Sequence, residues 1–427
     1  MQRFVYQKLI DWKCKNNRKP LILNGARQVG KTWLLREFGM NEYGQLAYFS
    51  CDKSEDVRKL FDKDYDVERI VRQLSALSGI DIRPQETLLV LDEVQSCPRA
   101  LSALKYFCED APQYHVAVAG SLLGISLHEG LSFPVGKVDM IRVFPMTFRE
   151  FLRAMGKQGM EQLVASCDYE SMNVLSEAFT DLLRQYLFVG GMPAAVLAYG
   201  NHEGLNAVRE IQRQILFDYG KDFSKHAPVH QVTRINQVWQ SIPAQLFKEN
   251  KKFRYADLKK GGRATDFELA IQWLIDTGLV HKVTRCREPR MPLKVYEDAN
   301  AFKLFMVDCG LLGAMVDAPA AQMLIGNSAF VEYKGGLAEQ YVYQQLSSNS
   351  EKNIFYYSAD NSRMEIDFLM QSDDGIVPIE VKAGRNVVSN SLHRYLETHP
   401  ELHAVRYSLL PYIRQEHLTN IPLYAIP

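Results

Sequence analysis

Four short apolar runs recur in the first 120 residues: Leu21-Ile22-Leu23, Leu46-Ala47-Tyr48-Phe49, Leu88-Leu89-Val90-Leu91 and Val116-Ala117-Val118-Ala119. Each is shorter than a typical helix and reads as a strand that is apolar on both faces, the pattern of parallel strands covered by helices. Residues 33–38 and 54–78 between them carry helix-compatible spacing. Residues 1–19 read as a short amphipathic helix, and a last strand runs from Val138 to Phe144, before Pro145. This alternation predicts a doubly wound α/β domain over residues 1–150, with its ligand at the carboxyl ends of the strands.

The pattern then changes. Residues 151–245 are helical in spacing, interrupted by the tight connection Phe188-Val189-Gly190-Gly191-Met192-Pro193. In residues 246–312 a short helix begins at Phe253, Gly261-Gly262 breaks it, and Thr265–Asp276 forms a longer helix with Phe267, Ile271, Leu274 and Ile275 on one face. The strand Leu279–Val283 follows, and helix, turn, helix, strand is a winged-helix order. Residues 313–427 hold a looser connection, a helix from Gly336, and two strands, Met364–Met370 and Ile376–Lys382, around the turn Asp373-Asp374-Gly375.

The composition is that of a globular protein: 427 residues, 47% apolar and 23% charged. Fifty Lys and Arg balance fifty Asp and Glu, so a nucleic-acid site has to be a local patch. Such a patch exists: from Lys248 to Lys294, twelve Lys and Arg face six Asp and Glu. The seven cysteines form no C-x-x-C pair, which argues against zinc or a disulfide framework and for a reducing compartment. No signal-like segment and no run of 18 apolar residues is present, so the reading is a soluble, cytoplasmic chain with no membrane partner.

Two constellations carry chemistry. Gly25-Ala26-Arg27-Gln28-Val29-Gly30-Lys31-Thr32 is G-x-x-x-x-G-K-T between a strand and a helix, the Walker A pattern that cradles ATP phosphates on backbone N–H groups. Lys31 is expected at the β- and γ-phosphates and Thr32 at Mg²⁺. Leu88–Leu91 runs into Asp92-Glu93, the Walker B pattern, with Asp92 for Mg²⁺ and Glu93 for the attacking water. Ser121, after the strand ending in Gly120, stands where a γ-phosphate sensor would, or is a plain turn residue.

The second constellation is Asp367, Glu380 and Lys382. A hairpin centred between Asp373 and Asp374 pairs Asp367 with Glu380, and a shift by one residue pairs it with Lys382. Either register puts two carboxylates and an ammonium on one face, with opposed Cβ atoms about 5 Å apart. Oxygen ligands so placed suit a divalent metal, with Lys382 beside the scissile phosphate and Glu339 completing the site from the preceding helix. The bland alternative is a hairpin with solvated charges.

Residues 20–150 resemble an AAA-type ATPase of the bacterial and archaeal group that carries an uncharacterised C-terminal domain. The resemblance rests on Gly25–Thr32, Leu91-Asp92-Glu93-Val94-Gln95, Gly120-Ser121 and Phe144-Pro145-Met146-Thr147-Phe148-Arg149-Glu150-Phe151. Phe188–Pro193 and Lys303-x-x-x-x-Asp308-x-Gly310-Leu311 are similar to further strings of that group. One departure is Gly136-Lys137, where the group usually has Gly-Arg. Lysine loses the bidentate fork of a finger arginine, a role for which Arg142 and Arg149 are candidates. Asp-x(12)-Glu-x-Lys resembles the restriction-endonuclease-like fold. The resemblances imply four parts: an ATPase domain (1–150), a helical connector (151–245), a winged-helix-like domain (246–312) and a nuclease-like α/β domain (313–427). The function they imply is a Mg-dependent ATPase, open to self-association, coupled to a DNA-binding and DNA-cleaving domain. The rival is a nucleotide-switched regulator whose C-terminal domain grips DNA or protein without cutting.

Overall fold

In a computed structural model, the structure describes residues 2–120, 133–248, 251–320, 331–349, 352–359, 364–384 and 390–426. The chain forms two compact units, Gln2–Phe144 with Asp276–Leu279, and Pro145–Ile275 with Val280–Pro427.

The N-terminal unit holds β1 (Leu21–Asn24), β2 (Gln45–Ser50), β3 (Thr87–Asp92), β4 (His115–Ala119) and β5 (Asp139–Arg142). They form a five-stranded sheet in the order β2-β3-β4-β1-β5. All these pairings are parallel, so β4 stands between the strand before the Gly-rich loop and the strand ending in Asp92. Helices α1 (Val5–Cys14), α2 (Lys31–Glu42), α3 (Glu55–Lys63), α4 (Val67–Ser78) and α5 (Pro98–Asp110) make the crossovers and flanks. Strands β3 and β4 are buried throughout, as continuous apolar runs require. Ile22, Leu89, Leu91 and Val118 pack with Phe61, Leu74 and Leu104 into one core. Two expectations are refined. The run at 46–51 is an edge strand, so only alternate residues such as Ala47 and Phe49 are buried. The stretch 54–78 is two helices, because Ser54 caps α3 through Val57 N and Asp66 caps α4 through Arg69 N.

His115, the first residue of β4, is buried against Trp12 and shares a 2.7 Å hydrogen bond with the Tyr43 hydroxyl. Desolvation, then the Arg18 and Lys13 charges, lowers its pKa from 6.5 to about 4. A lowered folded-state value means that the unfolded chain binds more protons between these limits. Stability is therefore full above pH 6.5 and falls as pH drops toward 4, by roughly 2 kcal/mol after allowing for screening. Denaturant titrations at pH 7 and pH 4.5 should show this loss, and His115→Gln should remove most of the His115 share of it.

The C-terminal unit begins with α6 (Phe148–Ala154), α7 (Gln158–Ala165), α8 (Tyr169–Val174), α9 (Ser176–Val189), α10 (Pro193–Gly200), α11 (Leu205–His226) and α12 (Val232–Leu246). Thr147 and Glu150 form a capping box at α6. A 3-10 turn, Tyr255–Asp257, stands where a short helix was expected, followed by α13 (Ala264–Asp276). Then come β6 (Val280–Cys286), β7 (Glu297–Met306), α14 (Cys309–Met315), α15 (Val331–Asn349), β8 (Ile354–Ser358), β9 (Glu365–Ser372), β10 (Gly375–Val381), α16 (Asn390–Thr398), β11 (Ala404–Ser408), β12 (Ile413–Arg414) and β13 (Leu418–Pro422).

These strands form one eight-stranded sheet, β12-β13-β11-β10-β9-β8-β6-β7. The hairpin β6–β7 thus joins the C-terminal strands through the parallel pairing of β6 with β8. Buried Asp308 ties two sequence strings together. It accepts from Leu311 N at 3.0 Å, capping α14, and from Gly191 N at 2.6 Å. Gly190, at φ +73, leaves the room this needs, since a Cβ there would lie 2.2 Å from Asp308 Oδ1.

Candidate functional site

The first site lies at the carboxyl ends of β1 and β3. Gly25 has φ +153 and passes so near β5 that a Cβ would sit 2.2 Å from the Val143 carbonyl oxygen, so the loop needs glycine there. Ala26 and Val29 are buried, while Arg27 and Gln28 face outward. Gly30, left-handed at φ 95, precedes α2. Arg3 clamps the loop by donating to Val29 O at 2.9 Å and to Phe144 O at 2.6 Å, a role with no signal in the sequence.

Lys31 is buried and donates to Gly25 O and Ala26 O, both at 2.8 Å. Desolvation lowers its pKa to about 8 against the opposing pull of Glu93 and Asp92. Its ammonium is thus held on carbonyls of its own loop, next to two carboxylates. Thr32 Oγ1 donates to Asp92 Oδ2 at 2.7 Å. Tyr48, from β2, donates to the same oxygen at 2.6 Å, with the Arg36 guanidinium 4.0 Å from its ring centroid. Glu93 takes a left-handed backbone at φ 52, and Gln95 Nε2 donates to its Oε2. The Asp-Glu-Val-Gln string therefore has a local sense: Gln95 orients Glu93. Thr32 and Asp92 are the residues that would hold Mg²⁺, which would supply charge neutralisation at the phosphates. The oxygen-only donor pair fits that ion.

Ser121 lies outside the described residues. Lys137 forms a 2.7 Å ion pair with Glu109. Arg142 lies over the Phe144 ring at 4.8 Å, and Arg149, in the C-terminal unit, pairs with Glu161 at 2.6 Å. Arg149 is thus tied down by a buried carboxylate.

The second site is in the C-terminal unit. Strands β9 and β10 pair with Gly375 opposite Ser372 and Ile379 opposite Phe368, so the next pair in that register is Glu380 opposite Asp367. This is the first of the two registers considered. Lys382 Nζ lies 2.7 Å from Glu380 Oε1, so the two do share a face. Glu380 is buried and Asp367 half-buried, which sets the pair apart from a solvated surface hairpin. Asp367 Oδ2 accepts from Val381 N at 2.8 Å. Glu339, buried on α15, lies within reach of Asp367 through a side-chain hydrogen bond.

Two lysines that sequence reasoning missed enter this site. Lys251 forms an ion pair with Glu339 Oε1. Lys303, fully buried on β7, lies 2.5 Å from Glu365 Oε1 and 3.7 Å from Glu339 Oε2. A signal was present for Lys303: it is a lone cation inside the apolar run Ala301–Val307. Against desolvation, Lys251 and Lys303 hold Glu339 below the usual carboxylate range. Desolvation, then Glu339 and Glu380, pushes Asp367 well above it. Against desolvation, Glu380 holds Lys382 above the usual lysine value. Among the described residues, no group of three His, Cys, Asp or Glu side chains is arranged to hold a metal ion. Asp367 and Glu380 carry oxygen donors of the kind a divalent cation takes, but Glu380 is paired with Lys382 and Glu339 with Lys251 and Lys303.

The basic stretch is thinner than its count. Lys248, Lys251, Arg285, Arg287, Arg290 and Lys294, six of the twelve cations, are paired with nearby acids. Arg254, Lys259, Lys260 and Arg263 are exposed. Among the described residues, no helix is long and apolar enough to cross a membrane.

Residues 17–152 match the family model of an AAA domain. Residues 180–322 and 334–426 match two further models, each described as a domain of unknown function, DUF8612 and DUF4143. No curated protein matches the chain. Among solved structures, the chain is similar to a Walker-type ATPase of Pyrococcus abyssi, with 14% identity over 74% of this chain and 95% of that one and a TM-score of 0.48. It is also similar to the ORC1 protein of Aeropyrum pernix, solved in complex with DNA, with 16% identity, coverage of 75% and 92%, and a TM-score of 0.28. The Gly-rich loop on a parallel sheet, the Thr32–Asp92 contact and the family match support one reading of residues 17–152, a P-loop AAA-type ATPase domain that binds ATP.

Proposed function

We propose that the chain is a Mg-dependent ATPase whose C-terminal unit binds DNA and cleaves it with a divalent metal. Lys31 and the loop Gly25–Thr32 would hold the phosphates, Thr32 and Asp92 the Mg²⁺, and Glu93 would polarise the attacking water, with Ser121 as a sensor. Asp367 and Glu380 would hold the second cation, joined by Glu339, and Lys382 would stabilise charge at the phosphodiester. The observation that carries the DNA-processing half is the β9–β10 register, which sets buried Glu380 opposite Asp367 with Lys382 2.7 Å from Glu380. A non-cutting, nucleotide-switched regulator is the second reading. It draws on Lys251 and Lys303, which already neutralise Glu339.

Calorimetry with Mn²⁺ and a gel assay on single- and double-stranded DNA separate the two. Asp367→Asn with Glu380→Gln should abolish metal heat and leave the fold intact or slightly more stable, because two facing carboxylates repel without a cation. Lys382→Ala should keep the metal and lose cleavage. No metal heat and no product on any DNA would leave the regulator reading in front. DNA affinity should also fall steeply with salt. Neutralising Lys259, Lys260 and Arg263 should reduce the log–log slope for duplex by about 2.7, at about 0.9 for each phosphate contact. An unchanged slope would make this segment a packing element.

A further inference from the structure

Lys251 and Lys303 both face Glu339, but they are held differently. Lys303 is a strand residue with no exposed side-chain surface, and Glu365 fixes it at 2.5 Å. Lys251 precedes the 3-10 turn on an irregular segment, and its side chain is 15% exposed. That segment is anchored beside β7, since Phe253 N donates to Phe302 O at 2.8 Å and the two rings stack at 5.3 Å. The segment continues into the exposed cations Arg254, Lys259, Lys260 and Arg263.

The cations around the three carboxyl groups Glu339, Asp367 and Glu380 are Lys251, Lys303, Lys382 and, across the β10–β11 pairing, Arg406. Of the two lysines on Glu339, Lys251 is the one with exposed surface. Glu339 Oε2 is also buried with no hydrogen-bond partner among the described residues, its neighbour Lys303 being 3.7 Å away. A buried carboxylate oxygen so placed is free to accept a new ligand.

We propose that Lys251 gates the C-terminal site. Without DNA its ammonium neutralises Glu339. When duplex DNA lies on the neighbouring exposed cations, a phosphate takes the ammonium, and Glu339 joins Asp367 and Glu380 around a divalent cation. The proposal rests on the reading of this cluster as a cation and phosphodiester site. No bond is made or broken; one ion pair is exchanged for another. Cation binding thereby waits for DNA, and a free chain is protected from idle metal loading.

The test is titration of the full chain with Mn²⁺, followed by heat, with and without a short phosphorothioate duplex that resists cleavage. Wild type should bind Mn²⁺ about 10-fold more tightly when duplex is present, a coupling of ordinary size. Lys251→Met should bind at the tighter affinity without DNA, and duplex should add less than about 2-fold. Lys251→Arg, which restores the ion pair, should behave as wild type. A wild-type Mn²⁺ affinity that duplex leaves unchanged overturns the gate without recourse to any variant. Equal behaviour of wild type and a folded Lys251→Met overturns it as well. No Mn²⁺ heat from any protein under either condition removes the cation reading itself, and the gate with it.

Discussion

Lys31→Ala should weaken Mg-ATP binding by at least about 100-fold, roughly 2.7 kcal/mol. Lys31 is the buried cation of the Gly-rich loop, and it sits on the carbonyls of Gly25 and Ala26 beside Asp92. Phosphate oxygens offer its ammonium a charged acceptor in place of two neutral ones, and charge-assisted hydrogen bonds are the stronger kind. Burial lowers its pKa to about 8 against the pull of Glu93 and Asp92, and a bound phosphate would add further compensating charge. Alanine removes that charge while leaving two loop carbonyls without their donor. The fold should therefore survive with a modest loss of stability, and circular dichroism serves as the control. Equilibrium titration with a fluorescent ATP analogue gives the affinity. A variant that binds as wild type does would place the phosphates elsewhere.

Glu93→Gln should leave ATP affinity within about twofold of wild type and slow hydrolysis by a factor of about 10² to 10⁴, the usual contribution of a positioned base. The amide preserves shape, and its carbonyl still accepts from Gln95 Nε2, as Glu93 Oε2 does now. What it loses is the negative charge that polarises water. Phosphate release under saturating ATP measures the effect. Equal turnover in the two proteins would remove Glu93 from the chemistry.

Much of the N-terminal unit was legible because its signals are local. Strands β3 and β4 are buried on both faces, so burial wrote itself as unbroken apolar runs. The Gly-rich loop needs particular residues at particular positions, Gly25 above all, because backbone approaches backbone there. The turn residues narrowed the β9–β10 register to two, and the structure takes the one centred between Asp373 and Asp374. What escaped notice depends on residues far apart in sequence. Lys251 meets Glu339 across 88 positions, and Arg3 meets Phe144 across 141. The parallel pairing of Thr284 with Phe355 joins the β6–β7 hairpin to the C-terminal strands, and no neighbouring residue announces it. The basic count overstated the unpaired charge for a different reason, the place where the counting window ended. Asp298 and Glu297, which neutralise Arg285, Arg287 and Lys294, lie just beyond the stretch that was counted. Edge position likewise cannot be read from one strand alone, so β2 looked more buried than it is.

If Gly25–Thr32 is a working nucleotide site, thermal melting of the full chain must respond to Mg-ATP. A ligand that binds only the folded state stabilises it by about 2.7 kcal/mol at a hundredfold excess over Kd. The melting temperature should rise with Mg-ATP concentration in wild type and stay fixed in Lys31→Ala. A wild-type curve that Mg-ATP does not move at any concentration would contradict a nucleotide site at Gly25–Thr32.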